Sequence, residues 1–169
     1  MIKRRLAWGI AFPVALSIAT VVTMTPEAAS AANTGTLLQN ATSYLCITDN
    51  GGSTNSAAIT QADCDYSPKE YFYPVFDGNG YSEEIKSSAT GKCLTNGGSP
   101  TNSAPITQYT CNGSPNQEWE AYTLKYGVEF HSINATGDCI TGGEGAKSGS
   151  PVTQYPCNGS TNQQFNALT

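Results

Sequence analysis

The chain has 169 residues, 8 basic against 13 acidic side chains, one histidine and 6 cysteines. Beyond residue 32 it holds five lysines, twelve acids and no arginine, so that part carries a net charge of −7. Such a surface argues against nucleic acid and anionic membrane as partners.

The first 32 residues read as a secretory signal. Lys3, Arg4 and Arg5 precede an apolar stretch from Leu6 to Met24, and small residues follow up to Ala32. Cleavage is expected after Ala31 or Ala32. The alternative is an uncleaved membrane anchor, because the stretch is nearly long enough to span. No later stretch approaches that length, so no membrane insertion is expected once the signal is gone. The remaining residues, 33–169, amount to one domain. All 6 cysteines fall there, and an even count in an exported chain implies disulfides, with fifteen possible pairings.

A repeat narrows that choice. Cys46 and Cys64, Cys93 and Cys111, and Cys139 and Cys157 are each 18 apart, and the pairs begin 47 and 46 residues apart. Three units of about 46 residues, near 37–82, 83–128 and 129–169, align without a gap from the first cysteine of each onward. Equivalent cysteines should make equivalent bonds: Cys46–Cys64, Cys93–Cys111 and Cys139–Cys157. Each loop closure stabilises by about 3 kcal/mol in the chain-entropy model.

Each unit reads as four short strands between Gly, Asn, Ser and Pro turns. The first precedes the first cysteine, at Leu37–Leu38, Glu84–Ile85 and Phe130–Ile133. The second starts at Cys46, Cys93 and Cys139. The third contains Ile59, Ile106 and Val152. The fourth begins at Phe72, Trp119 and Phe165. Twelve strands are enough to close a small all-β barrel with a hairpin cap.

Comparing the units separates core from surface. Bulk is kept at Ile47, Leu94 and Ile140, at Ile59, Ile106 and Val152, and at Phe72, Trp119 and Phe165, as three-fold packing requires. Two residues before the second cysteine the units differ: Ala62, Tyr109 and Tyr155. A core position would not lose a whole ring without a cavity, so Tyr109 and Tyr155 are expected to face outward. Alternation then turns Gln61, Gln108 and Gln154 inward.

Gly91-Lys92-Cys93-Leu94, Cys111-Asn112-Gly113 and Asn116-Gln117-Glu118-Trp119 resemble the ricin-B-type β-trefoil lectins. The family's Gln-x-Trp motif stands at Gln117-Glu118-Trp119, varies at Gln163-Gln164-Phe165 and is degraded at Glu70-Tyr71-Phe72. The resemblance implies a β-trefoil with one shallow sugar site per unit. In each, a ring stacks on a sugar, an Asp two residues after the first cysteine takes hydroxyls, and the Asn before the motif glutamine assists.

Carried over, unit two offers Tyr109 and Asn116, and unit three offers Tyr155 and Asn162. Unit one has Ala62 and Lys69 there, which implies a dead site. The family's Asp is missing throughout, with Thr48, Thr95 and Thr141 in its place. Thr95, Thr141 and the adjacent Asn96 are the candidates to take over its contacts, as is Asp49 in unit one. Gln117 and Gln163 read as structural.

No catalytic set assembles. His131 reads as a packing residue, the carboxylates Glu83-Glu84 and Glu118/Glu120 as solvated surface, and the cysteines are committed to bridges, leaving no thiolate metal site. The Asn-x-Ser/Thr sequons, at Asn112 and Asn158 among others, are expected by chance. The chain is expected to be a secreted, monomeric, non-enzymatic lectin without cofactor or metal, with glycans or polysaccharide as partner. The alternative is a trefoil that has lost sugar binding and serves as a protein-binding or inhibitory module.

Overall fold

The computed structural model describes residues 35–76, 83–143 and 145–169; the expected export signal lies outside them. Unit one supplies β1 (Thr36–Asn40), β2 (Cys46–Thr48), β3 (Ala57–Ala58), β4 (Thr60–Ala62) and β5 (Tyr71–Phe76). Unit two supplies β6 (Glu83–Ser87), β7 (Cys93–Thr95), β8 (Thr107–Tyr109) and β9 (Glu118–Leu124). Unit three supplies β10 (Gly127–Ser132), β11 (Asp138–Thr141), β12 (Thr153–Pro156) and β13 (Phe165–Leu168).

Strands β1, β5, β6, β9, β10 and β13 pair antiparallel in that order, and β13 returns to β1. The sheet therefore closes into a barrel without a free edge. Hairpins β2–β4, β7–β8 and β11–β12 form the cap. This is a β-trefoil. Thirteen strands replace the expected twelve because the third strand of unit one changes partner at Ile59. β3 pairs with β8 of unit two, whereas β4 pairs with β2.

The core holds twelve residues in four three-fold sets: Leu38, Ile85 and Phe130; Ile47, Leu94 and Ile140; Ile59, Ile106 and Val152; Phe72, Trp119 and Phe165. The last three sets are those legible from comparing the units. The three disulfides pair as the repeat requires, each with a Cα–Cα separation of 5.1 Å.

Backbone bonds tie the cap into a ring. Ile59 N–H donates to the Ile106 carbonyl (3.0 Å), Ile106 to Val152 (2.9 Å) and Val152 to Ile59 (2.9 Å). Buried glutamines close a second cycle that runs in the opposite sense. Gln61 donates to the Gly142 carbonyl of unit three, Gln108 to Gly52 of unit one, and Gln154 to Ser99 of unit two (2.6 Å). Their inward direction follows from strand alternation, and their bonds make them structural.

A second set of joints connects the turn after each cap strand to the first strand of the next unit. The Ser87 hydroxyl donates to Asp49, and the Asn96 amide donates to Ser132 (3.0 Å). The third joint is inverted in size. Gly142 leaves the space, and Asn40 fills it, donating to the Asn162 carbonyl at 2.8 Å.

The buried motif residues Glu70, Gln117 and Gln163 hold the turn after the second cysteine. Gln117 accepts from Asn112 N–H (2.9 Å) and donates to the Thr110 carbonyl (3.0 Å). Gln163 accepts from Asn158 N–H (2.9 Å) and donates to the Pro156 carbonyl (3.0 Å). Glu70 keeps only the accepting half, from Asp65 and Tyr66 N–H, and its Oε1 is buried without a partner. Burial pushes the Glu70 carboxyl above its ordinary range. The folded state then holds this proton more tightly than the unfolded state, so the contribution to stability is complete below the unfolded pKa and is lost as pH rises through the folded one. Glu70→Gln is expected to raise stability at neutral pH by about 1 kcal/mol and to flatten that decline. Urea titrations across the acidic to neutral range check both.

Tyr44 and Tyr66 adopt left-handed backbone, each with φ of 59°. Units two and three have glycine at the corresponding positions, Gly91 and Gly137, and Gly113 and Gly159. A non-glycine residue in this region costs roughly 1–2 kcal/mol.

Candidate functional site

Two matching surface cavities of about 370 Å³ each lie in units two and three. The first is lined by Thr95, Gly97, Thr107, Tyr109, Asn112, Ser114, Asn116 and Gln117, with Ser56 reaching in from unit one. The second repeats it position for position with Thr141, Gly143, Thr153, Tyr155, Asn158, Ser160, Asn162 and Gln163, and with Ser103 from unit two. Neither lining includes a charged residue.

The local fold produces this arrangement. Strand alternation turns Tyr109 and Tyr155 out, at 42% and 44% exposure, while the neighbouring glutamines are buried. The 3-10 turns at Pro115–Gln117 and Thr161–Gln163 bury the motif glutamine and leave Asn116 and Asn162 half-buried at the pocket. Asn112 and Asn158 brace the adjoining turn by accepting from Ser114 N–H (3.1 Å) and Ser160 N–H (2.9 Å). Ser56 and Ser103 are placed by their own backbone bonds to the Gln108 and Gln154 carbonyls, each 2.8 Å.

Thr95 occupies the place of the family's aspartate. Its Oγ1 accepts from Asn116 Nδ2 (2.9 Å) and Gly97 N–H (3.0 Å). A hydroxyl has two acceptor positions and one proton to give. Thr95 therefore offers a ligand a donor, where an aspartate would offer acceptors. Unit three has the same residues with different wiring. Thr141 donates to the Cys139 carbonyl (3.1 Å), and Asn162 accepts from the Ser160 hydroxyl.

Asn96 is a correction. It was expected beside the ligand as a substitute for the aspartate, but it is buried and its amide is used at both ends. Nδ2 donates to Ser132, and Oδ1 accepts from Gly98 N–H at 2.9 Å. Asp49 is buried in the equivalent joint of unit one. Of the other expected residues, Thr95, Tyr109 and Asn116 line one cavity and Thr141, Tyr155 and Asn162 line the other.

Unit one fills the corresponding space. Where units two and three have Gly97 and Gly143, it has Asn50, whose amide bonds the Thr60 hydroxyl at 2.8 Å. Ala62 provides no ring, and Lys69 lies 3.2 Å from Asp65.

His131 packs against the Tyr122 ring, with centroids 4.4 Å apart, and its Nε2 lies 3.7 Å from Glu129. Glu129, His131, Cys139 and Cys157 place potential metal-ligand atoms within 4.8 Å of one another. Two of the four are disulfide sulfurs, which lack the thiolate charge that binds a metal. An apolar cavity of about 190 Å³ opens at the barrel end away from the hairpins, among Leu38, Phe72, Ile85, Val128 and Phe130. Thr36, Tyr73 and Glu83 are the polar residues of its lining, and the remaining wall is apolar.

The sequence matches the ricin-type beta-trefoil lectin domain over residues 34–165. The chain belongs to the ricin-type β-trefoil lectin family. No curated protein sequence matches it. Among solved structures, the lectin domain is similar to the designed three-fold symmetric protein ThreeFoil, at 22% identity and a TM-score of 0.72, over 79% of this chain and 96% of that one. It is similar to a ricin B-like lectin from Macrolepiota procera solved with lactose, at 14% identity and a TM-score of 0.66, over 79% and 94% of the two chains. It also resembles part of an exo-beta-1,3-galactanase from Clostridium thermocellum, at 25% identity and a TM-score of 0.72, covering 80% of this chain and 30% of that enzyme. The first two likenesses concern fold. The carbohydrate-binding character comes from the family, and three disulfides are consistent with an extracellular protein.

Proposed function

We propose that this is a secreted, non-enzymatic lectin that binds glycans through the pockets of units two and three, with unit one silent at that position. The observation that carries the reading is the duplicated pocket. In each copy a half-exposed tyrosine stands over neutral donors and acceptors converging from three loops. A sugar presents an apolar C–H face to the ring and hydroxyls to such groups. The lactose in the Macrolepiota procera lectin is in keeping with this ligand class.

Each pocket is shallow, and an affinity in the millimolar range, about −4 kcal/mol, is expected per site. Useful strength then comes from both pockets engaging one polymer or surface. The rival reading, a protein-binding trefoil, draws on the missing aspartate. The convergence of polar groups around Tyr109 and Tyr155 favours sugar, since a flat protein contact does not need a pocket. Pull-down on soluble and insoluble polysaccharides, with a glycan array, tests the proposal; a protein that retains its fold and binds no glycan at millimolar concentration overturns it.

The donor polarity of Thr95 adds a prediction. Thr95→Asp places a carboxylate against Gly97 N–H and the Asn116 amide, which already point there. Charge-assisted bonds exceed neutral ones by roughly 1 kcal/mol, so affinity at unit two is expected to rise about fivefold. Calorimetry with the best polysaccharide from the screen checks it.

A further inference from the structure

We infer that unit one carries a second kind of binding surface, an open platform of Tyr44, Tyr66 and Asp63 that takes a polysaccharide bearing free amines. It is separate from the pockets and does not depend on them. Tyr44 and Tyr66 are the most exposed large apolar side chains among the described residues, at 69% and 57%. Both sit in left-handed backbone where the other two units have glycine. The fold does not need these rings, and the backbone is strained by them. Strain of this kind persists where function requires the side chain.

The two tyrosines flank one disulfide. The Tyr44 carbonyl lies 3.8 Å from Cys64 Sγ, and Tyr66 is two residues beyond Cys64. Each backbone is pinned by a buried or half-buried side chain. Gln39 donates to the Tyr44 carbonyl (3.0 Å), and Glu70 accepts from Tyr66 N–H (3.0 Å). Lys86 and His131 replace Gln39 in the register of the other units. The rings therefore rise from fixed stations.

Charge identifies the ligand. Unit one has Asp63 and Asp65 where units two and three have Thr110 and Pro156, and Asn112 and Asn158. Ser67, whose N–H donates to Asp65 at 2.9 Å, and the nearby Lys69 hold the Asp65 carboxyl down at about 2, so it is ionised at any ordinary pH. Lys69 compensates one of the two charges; exposed Asp63 leaves the surface negative. Tyrosine faces attract both sugar C–H groups and cations. An amino sugar with a free ammonium group satisfies rings and charge together, whereas a neutral or N-acetylated sugar satisfies the rings alone.

The test is affinity electrophoresis in chitosan as its soluble glycol derivative and in glycol chitin, the fully N-acetylated counterpart, at low and raised salt. Wild type is expected to be retarded by chitosan, less so by the acetylated polymer, and less as salt rises. Tyr44→Gly with Tyr66→Gly installs the residues the other units already use, so the fold is retained, and chitosan affinity is expected to fall about tenfold. Asp63→Thr with Asp65→Asn should remove the salt-sensitive part. A variant with both pocket tyrosines changed to alanine should keep its chitosan retardation, which separates failure of this inference from failure of the pocket reading. Unchanged chitosan binding in the glycine variant, equal binding of the acetylated polymer, or no binding by wild type overturns the inference. Stronger retardation by polylysine that depends on the same tyrosines would assign the platform to basic peptides and overturn it equally.

Discussion

Replacing Tyr109 and Tyr155 together by alanine is expected to abolish the binding of neutral polysaccharide at the two pockets and leave the thermal transition almost unmoved. Both rings are half exposed and stand outside the core cluster. Unit one shows the substitution already made, since Ala62 occupies the same place and pairs with Cys46 in the same register as Tyr109 with Cys93. A stacked ring contributes about 1–2 kcal/mol on a sugar face. Against about −4 kcal/mol per site, one loss weakens a pocket roughly tenfold. Two losses also remove the advantage of binding at both pockets at once. Retention on the column and calorimetric titration measure the effect, with circular dichroism as the fold control. Neutral-polysaccharide binding that survives the double change undiminished would sink the assignment of these pockets.

Gly142→Ala is expected to destabilise this domain strongly, through the side chains of another unit rather than through its own backbone conformation. A Cβ there would lie 2.5 Å from Asn40 Nδ2, 2.8 Å from Asn40 Cγ and 3.0 Å from Gln61 Oε1. Asn40 cannot simply withdraw. Its Nδ2 bonds the Asn162 carbonyl, and its Oδ1 accepts from Thr42 (3.0 Å) and Ser43 (3.1 Å). Overpacking costs about 1–3 kcal/mol, and disturbing buried hydrogen bonds adds to it. We expect about 3 kcal/mol in total. The other two joints indicate the remedy, because each places a serine opposite the larger partner. Combining Gly142→Asn with Asn40→Ser reproduces the Asn96–Ser132 joint, and the pair is expected to be more stable than the sum of its single changes predicts. A double-mutant cycle by urea unfolding measures that coupling, and additive losses would refute it.

The parts legible in the sequence are those that comparison of one unit with another can reach. Ile47, Leu94 and Ile140 keep their bulk because each meets the same surroundings on a three-fold axis. Tyr109 beside Gln108 is decided by the period of a strand. Contacts between units are hidden from that comparison. Asn96 resembles a candidate ligand until the turn after β7 directs it onto Ser132 of the next unit. Ser56 and Ser103 enter pockets belonging to the unit that follows them, and nothing in the local pattern announces it. The Asn112-Gly113-Ser114 and Asn158-Gly159-Ser160 segments did carry a signal. They are shared by units two and three, and unit one differs with Asp65-Tyr66-Ser67, the division expected of a pocket wall. As glycosylation sequons they had no such meaning.

The ring from Ile59 to Ile106 to Val152 and back has a consequence for how this domain can vary. An open stack of repeats can lengthen or shorten by one copy and needs special end copies to cover its exposed faces. A closed cycle of three admits neither. Deleting one copy leaves an amide and a carbonyl on the axis with no partner, and inserting a fourth leaves no room for it. The break between β13 and β1, whose strands already lie side by side, is therefore a cut in a circle rather than the two ends of a line. Another cut, between units one and two or between two and three, would preserve every contact on the axis.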